Sequence, residues 1–107
     1  MRTRDKLLSL AKEYCFRIQN GRHLNSILQH ARGEMDELHD EIHRANVGLP
    51  QYGEDGVVGE AVDVMLCMID IIYTYDPHIT EDQILSVVEE KLDKWERVYG
   101  DKKEGNE

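Results

Sequence analysis

Apolar residues recur along this chain at intervals of three and four in four stretches, the period of a helix buried on one side. Leu7, Leu8, Ala11, Tyr14, Cys15 and Ile18 predict a first helix over roughly Arg4 to Gln19, with Thr3 as its cap and Asn20-Gly21 as its stop. Leu24, Ile27, Leu28, Ala31, Met35, Leu38, Ile42 and Ala45 predict a second over roughly His23 to Ala45, ended by Asn46-Val-Gly48 and Pro50. Residues 47–56 read as a loop. The third helix, roughly Val57 to Tyr75, is apolar around most of its circumference, the mark of a buried helix, and Pro77 follows it. Thr80 with Gln83 forms a capping box, and Ile79 can staple onto Ile84. That start opens a fourth helix with the stripe Ile84, Leu85, Val87, Val88, Leu92, Trp95, Val98 and Tyr99.

The expected fold is therefore all-α and four-helix bundle-like, one domain spanning 1–107, with a core over about 4–99 and a polar tail, 100–107, expected to fray. A chain of 107 residues suits one domain with a thin core. Three neighbours can cover so apolar a third helix only partly. A homodimer is the expected way to bury the remainder.

Composition narrows the functional classes. Hydrophobic residues make up 40% and charged residues 33%, which suits a soluble helical protein rather than a disordered one. The net charge of −9 disfavours nucleic acid and anionic membrane surfaces as partners. The apolar run from Val57 to Tyr75 contains Glu60, Asp63 and Asp70, too many acids for a membrane span. Cys15 and Cys67 lie far apart without metal-ligand spacing and read as reduced buried thiols. With no signal peptide at the N-terminus, a cytoplasmic location is expected.

The acids are placed unusually. At about 100° per residue, Glu34, Glu37 and Glu41 share a stripe with His30 that borders the apolar side of the second helix. On the third helix Glu60, Asp63 and Asp70 share a stripe with Cys67 and Thr74 amid apolar residues. Carboxylates taken out of water protonate, find a basic partner or bind a cation. Two helices each presenting acids at i, i+3 toward a common interior favour a cation, and hard oxygen ligands favour Mg²⁺ or Mn²⁺ over Zn²⁺. Glu34, Glu37, Glu60 and Asp63 are the candidate ligands, and Asp70 reads more readily as a satisfied buried acid. Lys91 falls within the apolar stripe between Val88 and Trp95; it either snorkels to the edge or reaches toward substrate phosphate. His39 and His43 are only superficially similar to an H-E-x-x-H zinc motif, since the Glu is displaced by one position, and they read as solvated or partner-contacting.

Glu34-Met-Asp-Glu37, a gap of 22 residues, and Glu60-Ala-Val-Asp63 resemble the E-x-x-E … E-x-x-D signature of the MazG-like all-α NTP pyrophosphohydrolases, relatives of the dimeric dUTPases and dCTP pyrophosphatases. GEMDELHDEI is similar to that family's second helix, GEAVDVMLCMIDIIY to its third and EEKLDKWERVYG to its closing helix, so the resemblance spans roughly residues 22 to 99. It implies a MazG-type fold and hydrolysis of a (d)NTP to (d)NMP and pyrophosphate. It also implies Mg²⁺ on the two acid motifs, with Lys91 and Arg97 toward the phosphates and dimers or pairs of dimers. Gly33 stands where many members carry a further Glu, and Trp95 where an Asn often follows the Lys. Both departures bear on the nucleotide pocket. Glu37 is the residue expected to orient or deprotonate the attacking water. The alternative expectation is a non-catalytic helical module that binds nucleotide or protein.

Overall fold

The computed structural model describes residues 6–18 and 22–100, and among these the secondary structure is entirely helical. The helices are α1 (Leu7–Arg17), α2 (Leu24–Asn46), α3 (Gly56–Tyr75) and α4 (Glu81–Trp95), the last running into a π-helical turn, Glu96–Gly100. Two compact units divide the chain, residues 1–77 with α1 to α3 and residues 78–107 with α4. No helix among the described residues is long and apolar enough to cross a membrane.

Local chemistry accounts for most of the helix ends. Lys6 holds the N-cap position of α1 without a side-chain hydrogen bond, and the helix opens on Leu7, the first residue of its apolar stripe. The anticipated Thr3 cap, the Asn20-Gly21 stop and the tail beyond Gly100 lie outside the described residues. At the start of α2, His23 Nδ1 accepts the Ser26 N–H and Ser26 Oγ accepts the His23 N–H, a capping box built on an unusual residue pair. The same helix closes as a Schellman motif. Leu49 N–H donates to Arg44 O at 2.9 Å and Gly48 N–H to Ala45 O at 3.4 Å, with Gly48 at φ +77°, where a side chain would be strained. The reciprocal Thr80–Gln83 box caps α4 as its spacing indicates.

In the first unit α3 packs along α2 and against α1. Ile27 and Ala31 of α2, Ala11 of α1, and Cys67, Ile69 and Tyr73 of α3 form the buried interior. Phe16 meets Tyr73 edge-on, with ring centroids 6.3 Å apart, and Lys12 Nζ lies 5.3 Å from the Tyr73 centroid. Only part of α3 is buried. Val58, Val62, Met65, Leu66 and Met68 are exposed, so α1 and α2 cover one face of the helix rather than enclosing it. In the second unit, Ile84 is the buried apolar residue of α4, while Leu85, Leu92 and Trp95 are exposed.

Candidate metal centre

The α2–α3 packing turns two local patterns into one site. Residues three apart on a helix point the same way. Glu34 and Glu37 therefore leave α2 together and meet Glu60 from α3, and one carboxylate oxygen from each of the three falls within 4.8 Å of the others. Glu34 Oε2 and Glu60 Oε2 are both shut off from solvent without a hydrogen-bond partner. Within residues 6–18 and 22–77, no Lys or Arg pairs with Glu34, Glu37, Glu60 or Asp63. Anionic oxygens deprived of both water and donors are costly.

The electrostatics register that cost. Lost hydration, then a hydrogen bond with Glu37 and its charge, then Asp63 and Glu34, push the Glu60 carboxyl up to about 7. Glu34 is raised as well, by burial first and then by Glu37 and Asp63, against the opposing hydrogen bond from His30. Asp63 is exposed and stands outside the tight group of three, near enough for its charge to act on both. Hard oxygens, like charge and orphaned lone pairs make a donor set that fits a divalent cation such as Mg²⁺ or Mn²⁺.

The remaining acids of the two stripes have other employment. Glu41, 3% exposed, accepts the backbone N–H of Tyr52 at 3.0 Å and that of Gly53. It ties the α2–α3 loop down over the site. Gly53 lies so close that an added Cβ would sit 3.2 Å from Glu41 Oε2 and 3.4 Å from Glu60 Oε1. Asp70, also buried, pairs with Arg22 and accepts the Thr74 hydroxyl at 3.3 Å. Its satisfied state matches the sequence expectation; Arg22 as the partner had no local signal. Arg22 stands 48 residues away along the chain.

Beside the centre opens a cleft of about 420 Å³ lined by Asp36, Glu37, Asp40, Glu41, Tyr52, Gly53 and Glu60. Tyr52 is exposed on its lip, with the Arg44 guanidinium 4.9 Å from the ring centroid and Arg44 Nε donating to Asp40 at 3.4 Å. His30 Nε2 lies 3.1 Å from Glu34 Oε1 and its Nδ1 3.9 Å from Cys67 Sγ. Burial, then the nearby Glu34, Asp70 and Asp63, push the Cys67 thiol up. Burial and Asp70 push Cys15 up to about 11. Both thiols are free and stay protonated. Lys91 and Arg97 belong to the second unit, Lys91 on α4 and Arg97 on the π-helical turn, where Arg97 lines a shallow hollow with Glu90, Asp93 and Glu96.

No protein-family model, curated protein or solved structure matches the chain. The likeness to the MazG-like enzymes rests on the two acid motifs and the segments around them.

Proposed function

We propose that this chain is a Mg²⁺-dependent nucleoside triphosphate pyrophosphohydrolase of MazG-like, four-helix bundle-like type. The observation that carries the reading is the meeting of Glu34, Glu37 and Glu60 with two buried, unpartnered oxygens and, within residues 6–18 and 22–77, no Lys or Arg paired with them. Glu34 and Glu60 each turn an oxygen away from water, with Glu37 exposed beside them, and the three are held against their own repulsion, which a cation would relieve.

Glu34, Glu37 and Glu60 would hold the ion, with Asp63 adding charge and a further oxygen at the rim. Mg²⁺ bound there supplies neutralisation of phosphate oxygens and a more acidic water. Glu37 is the exposed member of the three, and a water reaching it from the cleft would be oriented, and its proton accepted, by the carboxylate. Attack of that water on the α- or the β-phosphorus breaks the P–O–P bridge between them, and monophosphate and pyrophosphate separate. The assignment of Lys91 and Arg97 to the substrate phosphates rests on the resemblance alone. The exposed apolar residues of α3 and α4 support a homodimer or homotetramer, and the free thiols suit a reducing, cytoplasmic setting.

The test is hydrolysis of a panel of NTPs and dNTPs with Mg²⁺ in ¹⁸O-labelled water. Monophosphate and pyrophosphate are the expected products, with label at one of the two phosphorus centres joined in the broken bond, and Glu37→Gln is expected to lose activity. Orthophosphate with a diphosphate would refute the reaction. Nucleotide binding without turnover across the panel would favour a non-catalytic module.

A further inference from the structure

His30 links the acid centre to the buried interior, and its ring is contacted at both nitrogens. Nε2 faces Glu34 Oε1 at 3.1 Å, and Nδ1 faces Cys67 Sγ at 3.9 Å. Glu34 Oε2, the other oxygen of the same carboxylate, is buried and unpartnered. A neutral imidazole carries its proton on one nitrogen only. With the proton on Nδ1, the Nε2 lone pair would point at a carboxylate oxygen within hydrogen-bond distance, which is repulsive. With the proton on Nε2, the ring donates to Glu34, and Nδ1 is left to accept the weak S–H donor of the buried Cys67.

We infer that His30 is a positioning residue for this centre: held as the Nε2–H tautomer by the Cys67 thiol, it engages Glu34 Oε1 and so leaves Oε2 free for the cation. The inference deepens the metal reading above and rests on it. Carboxylate ligands of metals are commonly oriented by a hydrogen bond to the oxygen the metal does not use. Here the donor comes from one turn earlier on α2, and its own tautomer is set from α3, so the packing of the two helices is transmitted to a ligand. The ring is mostly exposed, 60% against 17% for Glu34, so its orientation depends on these two contacts rather than on enclosure.

The experiment uses the full chain. Mn²⁺ affinity is measured by electron paramagnetic resonance for wild type, H30L, H30Q and E34Q, with circular dichroism to confirm folding. H30L is expected to weaken Mn²⁺ binding ~10-fold or more. H30Q, whose amide N–H can take the place of Nε2–H, should remain within about threefold of wild type, a rescue that a merely space-filling role would not show. In parallel, ¹⁵N spectra of the metal-free wild type, recorded at a pH where they show no imidazolium, are expected to report His30 as Nε2–H, and C67A should raise the Nδ1–H share.

Equal Mn²⁺ affinity in wild type and H30L, with E34Q impaired, overturns the inference while leaving the metal centre intact. Absence of Mn²⁺ binding by wild type overturns the metal reading and the inference with it. An Nδ1–H tautomer in wild type overturns the inference whatever the affinities. An unchanged tautomer in C67A overturns the part assigned to the thiol. If H30L fails to fold, the wild-type spectrum and the H30Q affinity decide, with H30Q weakened as much as E34Q counting against.

Discussion

Replacing Glu41 by Ala should destabilise the protein even without metal, because Glu41 is a clamp on the backbone and not a member of the acid group. Its buried carboxylate accepts two backbone N–H groups, from Tyr52 and Gly53, eleven and twelve residues further along. A hydrogen bond to a charged acceptor contributes about 1.5–3 kcal/mol, so two set a gross loss of about 3–6 kcal/mol. Against this, the variant no longer buries a carboxylate, and the freed amides of a surface loop can turn to water. The expected net loss is about 2–3 kcal/mol. At roughly 4–8 °C per kcal/mol for a domain this small, the thermal midpoint should fall by roughly 10–20 °C. Urea unfolding followed by circular dichroism in excess chelator measures this directly. Glu37→Gln is the control. It is exposed among like charges, and should stay within about 0.5 kcal/mol of wild type or gain. A Glu41→Ala loss below about 0.5 kcal/mol would refute the clamp.

Mg²⁺ or Mn²⁺ should raise the thermal midpoint of wild type through preferential binding to the folded state, and Glu34→Gln or Asp63→Asn should lose most of that response; unchanged titrations in both would remove the site. The raised Glu60 carboxyl also predicts a pH trend in chelator. The folded state keeps a proton that the unfolded chain releases near the ordinary value of about 4.3, so this group's contribution falls as pH rises from there to about 7 and then levels off. Glu60→Gln should flatten that fall in a pH series of unfolding curves, and an equal slope in wild type and variant would contradict it. Light scattering at micromolar concentration should report about twice the chain mass or a multiple, as the exposed Val58, Val62, Met65, Leu66 and Met68 of α3 require cover; a monomer that still hydrolyses nucleotides would refute the assembly and spare the site.

The helices themselves were legible in the sequence because their cause is local. The 3.6-residue period, Thr80 with Gln83, and Gly48 before Pro50 act within a few residues, and each produces its structure wherever the segment lies. The i, i+3 acids were legible for the same reason, since helix geometry alone sends Glu34 and Glu37 in one direction. Which acids meet was decided only by the tertiary structure. Glu41 shares the α2 stripe with Glu34 and Glu37, but the returning loop brings the Tyr52 and Gly53 amides to its carboxylate and removes it from the group. Asp70 shares the α3 stripe with Glu60 and Asp63, but Arg22, just before α2, neutralises it, while Glu60 receives no cation from residues 6–18 or 22–77. Angular position on a helix depends on the backbone of that helix, so it can be read from spacing. Charge pairing falls off steeply with distance and is set by where loops return the chain, so the same residue type on the same face becomes a clamp, a salt bridge or a candidate ligand according to partners 11, 48 or 26 positions away (Glu41 to Tyr52, Arg22 to Asp70, Glu34 to Glu60).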